Sequence, residues 1–193
     1  MPTDLQHFIA ETSLIDTHEH LRKEREWVED GPDILQDLFG NYIPADLLSA
    51  GATPEAMKNL LDASNGDFAA RFAGIRRAWE SAQYTGYGEA VRILAHEVYE
   101  MADFSTAALE QAQNKLIGWR QPGGRLDLLK NRARLDHVQT DDFCWPCLPD
   151  AADRDFFLYD LSWAGFCNGQ IDAAALHGET NIAVVDLGSL RQA

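Results

Sequence analysis

An almost unbroken helical periodicity runs from Asp33 to Gly118, wedged between two short strand-like runs. Leu14-Ile15-Asp16-Thr17-His18 lies before it and Leu135 to Gln139 after it. Strands separated by helical sequence favour a parallel α/β arrangement, because parallel neighbours need a long crossover between them. Within the helical stretch, Ile34, Leu35, Leu38, Phe39 and Tyr42 form one apolar stripe. Thr53-Pro54-Glu55 reads as a helix start, a capping hydroxyl followed by proline at the first helical position. Phe68, Phe72, Ile75 and Trp79 form the next stripe, and Tyr87, Val91, Leu94 and Val98 another. Ser105 caps a helix carrying Leu109, Ala112 and Leu116, and Pro122-Gly123-Gly124 interrupts the pattern.

The flanks read differently. Thr3 to Thr12 is a short helix leading into the first strand, and Leu126 to Arg134 a helix leading into the second, which ends at Thr140-Asp141-Asp142. Pro146 and Pro149 mark a loop, Phe156 to Leu158 a third short strand, Ile171 to Leu176 a helix, and Ser189 to Ala193 the start of another. No repeat or low-complexity tract interrupts this order, so the chain is expected to form a single domain over residues 1–193 with a helical insertion at about 33–120.

Charge narrows the function classes. With 31 acidic and 16 basic residues the formal net charge is −15. Nucleic-acid binding rests on Lys and Arg neutralising phosphates, and anionic membrane surfaces also attract cations, so neither partner is expected. A small-molecule substrate remains compatible, because a metal ion dominates its local field. No segment approaches the roughly 20 apolar residues of a membrane span, and Met-Pro-Thr-Asp-Leu-Gln-His does not begin like a secretory signal. The three cysteines, Cys144, Cys147 and Cys167, are too few and odd in number for a disulfide framework. A cytoplasmic location is the expectation.

Chemistry concentrates at Leu14-Ile15-Asp16-Thr17-His18-Glu19-His20-Leu21. Side chains of a strand alternate faces, so His18 and His20 should share one face, with Asp16 below them and Glu19 opposite. Two imidazoles on one side of a strand can chelate a divalent ion. Asp16 reads as structural, orienting the strand or a nearby amide. Cys144-Trp145-Pro146-Cys147 lacks the second pair a zinc site would need and is read as two loop thiols. Asp141 and Asp142 follow a strand and are candidates for substrate contact. Trp79, Trp119 and Trp163 read as core or interface residues, and Arg76-Arg77 as a surface ion-pairing site rather than a binder of acidic groups.

Ile15-Asp16-Thr17-His18-Glu19-His20-Leu21 resembles the amidohydrolase superfamily, whose first barrel strand ends in His-x-His. The likeness is nearer the amidohydrolase-related branch that includes uronate isomerases. Gly40-Asn41-Tyr42-Ile43-Pro44-Ala45-Asp46-Leu47-Leu48-Ser49-Ala50-Gly51 resembles the helix after the first strand in that branch. Leu129-Lys130-Asn131-Arg132-Ala133-Arg134-Leu135-Asp136-His137-Val138, with Thr140-Asp141-Asp142, resembles its second helix–strand unit. The resemblance covers nearly all of this chain and about the first half of a family member.

The resemblance implies the N-terminal portion of a (β/α)8 TIM barrel with a large helical insertion after the first strand. It implies a divalent metal, most often zinc, held in part by His18 and His20. The family's remaining ligands come from later strands, and its general base is usually a late aspartate; His96, His137 and His177 fall on none of those positions, and no catalytic residue is assigned. The implied activity is hydrolysis of a C–N or C–O bond, completed by a missing C-terminal half, or isomerisation of a sugar acid. A non-catalytic, truncated helical interaction module, covered by self-association or a partner, is the alternative from another class.

Overall fold

The computed structural model describes residues 3–141, 153–160 and 167–193. The chain divides into two compact units: Trp27–Gly124 forms one, and the residues to either side of it form the other. Among the described residues the protein is mostly helical, with one three-stranded parallel sheet. No described helix is long and apolar enough to cross a membrane. Asp142, Cys144, Cys147 and Trp163 lie outside the described residues, as do Trp145, Pro146 and Pro149.

The helical unit contains the C-terminal part of α2 (Glu24–Asp30), then α3 (Ile34–Phe39), α4 (Ile43–Ser49), α5 (Pro54–Leu60), α6 (Phe68–Ala73), α7 (Arg76–Ala82), α8 (Gly86–Ile93) and α9 (Thr106–Trp119). Short polar side chains set where these helices begin. Asp33 accepts from the amides of Leu35 and Gln36, while Gln36 reaches back to the Asp33 amide. Thr53, Asp67, Thr85 and Ser105 cap α5, α6, α8 and α9 in the same way. Helices this short are marginal alone, so their shared core must hold them. That core includes Ile34, Leu35, Phe39, Leu47, Leu60, Phe72, Ile75, Leu109 and Leu116, none more than 1% exposed. Phe39 meets Phe72, Trp79 and Phe104 at ring-centroid distances of 5.9, 5.3 and 5.7 Å.

One charged pair is built into this core. Arg71 is fully buried; its guanidinium pairs with Asp33 at 2.6 Å and donates to the carbonyls of Leu60 and Asn65. The carboxylate thereby caps α3 and neutralises the arginine at once. Arg120 likewise donates to the carbonyls of Trp27, Val28 and Glu29, tying α9 to the end of α2.

Several stripes change course in space. Phe68 to Trp79 is two helices, separated at Gly74 and Ile75. Tyr42 and Tyr87 leave the core: α3 stops at Phe39, so Tyr42 falls out of helical phase, and the two exposed rings stack on each other at 5.3 Å. Past Ile93 the α8 helix widens into a π turn, Leu94–Val98, with Leu94 and Val98 half-buried.

The second unit holds α1 (Asp4–Glu11), β1 (Leu14–Glu19), β2 (Leu135–Thr140), β3 (Phe157–Tyr159), α11 (Ala173–Thr180) and α12 (Leu187–Leu190), numbered among the described residues. In place of one helix over 126–134, α10 (Gly124–Leu126) passes into a π turn, Asp127–Arg132, and Arg134 turns the chain with φ 59°. The last two helices begin where Asp172 and Asp186 cap them, which shifts both from the stripes expected at 171–176 and 189–193. β2 is central, with β1 and β3 parallel on either side. Val138, Phe156 and Phe157 form a small core.

Candidate functional site

Parallel strands end together, and the C-terminal ends of this sheet gather polar residues of the sheet unit. Backbone bonds extend the pairing past the strands: Asp141 N–H donates to the Glu19 carbonyl and Asp160 N–H to the Thr140 carbonyl, each at 2.8 Å. Glu19, Asp141 and Asp160 therefore fall at one end of the sheet.

His18 and His20 come together as expected from their spacing, but not by simple alternation. Asp16 pairs with Val138 and Glu19 with Thr140, so three steps along β1 match two along β2. This is an irregularity of register, and an opposite one falls between Leu14 and Ile15, which pair with Leu135 and His137. The two imidazole rings lie 4.7 Å apart, edge to face, and both residues are exposed.

Backbone and carboxylate contacts hold this arrangement. The Asp16 carboxylate accepts from the His18 amide at 3.2 Å, the structural part expected of it. Glu19 accepts from the His20 amide at 3.2 Å. His20 Nδ1 lies 3.2 Å from the Asp141 carbonyl oxygen. A carbonyl only accepts, so Nδ1 carries the proton in this bond and the ring's lone pair sits on Nε2. A histidine oriented by a backbone carbonyl through one nitrogen is the usual posture of a metal ligand coordinating through the other.

Asp141 thus contributes through its main chain, linking β1 to the His20 ring; its partner in the sequence reading, Asp142, is outside the described residues. Thr140 is 1% exposed, and its hydroxyl has no hydrogen-bond partner among the described residues. Its burial singles it out; the sequence offers only its place at a strand end. His137 pairs with Asp136 at 2.8 Å, and His96 with Glu97 at 2.8 Å in the other unit. Cys167 is an exposed thiol. Among the described residues, no group of three or more His, Cys, Asp or Glu side chains is arranged to hold a metal ion.

The helical unit has a cavity of about 600 Å³, lined by residues between Phe72 and Phe104, the His96–Glu97 pair among them, and by none of the sheet residues above. No family model matches the chain, and no curated protein or solved structure matches it.

Proposed function

We propose that His18 and His20 are two ligands of a divalent metal centre of the amidohydrolase type, on the opening portion of a (β/α)8 barrel, and that the activity is hydrolysis of a C–N or C–O bond of a small molecule. The observation that carries the reading is the end of β1, where two imidazoles lie 4.7 Å apart and His20 is oriented by the Asp141 carbonyl. Zinc, when bound, would polarise a carbonyl or lower the pKa of a bound water. Two imidazoles fill half of a tetrahedral sphere, so the reading requires further ligands from beyond the described residues or from another chain. Asp16 and Glu19 hold the His18 and His20 amides, and in this reading Asp141 and Asp142 would contact substrate. The strand order β1-β2-β3, all parallel, supports the barrel reading. A cytoplasmic location belongs to the same proposal.

A second reading has its own support. Leu5, Phe8 and Ile9 of α1 and Leu14 and Ile15 of β1 are each 55–67% exposed. An apolar face of that kind marks an interaction surface, which suits a non-catalytic module. Equilibrium dialysis against zinc followed by elemental analysis separates the two. The metal reading expects zinc retention that falls at least about tenfold in His18→Ala and in His20→Ala, the cost expected on losing a ligand or its orienting partner. Equal zinc content in the wild type and both variants would reject it.

A further inference from the structure

We propose that the helical unit carries a separate binding site for a zwitterionic small molecule with an apolar body, of which a free α-amino acid with an apolar side chain is the simplest example. The cavity of about 600 Å³ between α7, the α8 π turn and residues 101–104 has the size of a small-ligand site. Its floor is aromatic. Phe72 and Phe104 stack at 4.9 Å, and Trp79 meets Phe104 edge-on at 5.3 Å. A body of aliphatic or aromatic character fits that floor.

The rim is charged, and most of its charges satisfy one another. Glu89 pairs with Arg92 at 3.1 Å and Glu97 with His96 at 2.8 Å. Asp103 accepts from the Ser105 amide at 2.9 Å, and the bonds to Ser105 hold its carboxyl below the usual range. Two rim charges differ. Arg76 lies over the Phe72 ring at 5.2 Å and has no carboxylate partner among the described residues, and Glu80 has no cationic one. They stand four residues apart on α7, arginine first, which is the weaker order for a pair along a helix. In a chain with twice as many acids as bases, an arginine left over an aromatic ring at a cavity mouth is an unused anion binder.

Opposite charges one helical turn apart match a carboxylate and an ammonium carried on one carbon. The guanidinium, its plane set by Phe72, would take the carboxylate through two N–H bonds, and Glu80 would take the ammonium. The wall of the site is fixed in an uncommon form. The π turn Leu94–Val98 is followed by Glu100 in the left-handed region at φ 55°. Tyr99 anchors that turn by donating its hydroxyl to the half-buried Asp37 at 2.6 Å, and Lys115 pairs with Glu100 at 2.5 Å. Single π turns and strained non-glycine backbone concentrate at functional sites.

Isothermal titration calorimetry with L-phenylalanine tests this on the full chain. The expected result is saturable binding with a Kd at or below about 1 mM, weakened at least about tenfold in Arg76→Gln and in Glu80→Gln. N-acetyl-L-phenylalanine, without the ammonium, and phenethylamine, without the carboxylate, should each bind at least about tenfold more weakly. Both residues are exposed, so circular dichroism should show both variants folded. Absence of heat with L-phenylalanine, equal binding by the variants, or equal binding by either truncated probe would overturn the proposal. None of these readouts involves His18 or His20, so the outcome is independent of the metal reading.

Discussion

The helical unit and the sheet unit solve the problem of burial in opposite ways. Between Trp27 and Gly124, short capped helices close around a core in which eleven large side chains lose nearly all contact with water, Arg71 among them. Among the described residues, the sheet unit has a core cluster of three buried residues, Val138, Phe156 and Phe157, while α1 contributes no buried residue. The polar chemistry follows the same division. The helical unit turns a buried ion pair inward as architecture; the sheet unit displays its histidines on an exposed strand end.

The contrast can be broken most sharply at Arg71. Arg71→Met keeps the apolar stem but removes the donors that serve Asp33, Leu60 and Asn65. Stranding a largely buried carboxylate typically costs about 3–5 kcal/mol, and urea unfolding should register a loss of that size. A change below about 1 kcal/mol would mean that water replaces the guanidinium and that the helical core is less closed than described.

A subtler test lies at Asp37. Burial pushes its carboxyl above the usual aspartate range, against the smaller opposing effect of the Tyr99 hydroxyl. The folded state then holds this proton more tightly than the unfolded chain does. Its contribution to stability is therefore fully present below the unfolded pKa and is lost as pH rises through the raised folded value. Asp37→Asn keeps an oxygen for Tyr99 and should remove that decline from unfolding midpoints measured across the acid range. Identical pH slopes in the two proteins would contradict it.

The smallest effect belongs to the sheet unit. Phe8 is 67% exposed, so Phe8→Ser should change stability by no more than about 0.5 kcal/mol in the same urea assay. A loss of 2 kcal/mol or more, the scale of a core truncation, would show that the face of α1 is covered in solution. The two units would then be alike in closure.

Much of the secondary structure was legible because it rests on local chemistry. Thr53-Pro54 and Ser105 begin helices as their residue types require, and Leu14–Glu19 and Leu135–Thr140 are strands as their patterns indicate. A capping hydroxyl finds its amide within one turn, whatever lies beyond. Tyr42 and Tyr87 were misplaced because apolar spacing cannot reveal where a helix stops, and Gly40 ends α3 before Tyr42 is reached. The π turns at Leu94–Val98 and Asp127–Arg132 have no sequence signature of their own; they arise where packing holds an extra residue per turn.

The candidate site divides along the same line. The sequence by itself determined that His18 and His20 would lie close together, since two residues one apart at a strand end cannot separate far. It also determined the acidic surface and the alternation of strand and helix. Only the tertiary structure decided that the pairing register shifts between Asp16 and Glu19, that the Asp141 carbonyl meets the His20 ring, and that Arg71 is buried against Asp33. Local hydrogen bonds and side-chain spacing are written along the chain. Register, burial and the pairing of charges distant in sequence depend on which surfaces meet, and that is settled only when the whole core excludes water at once.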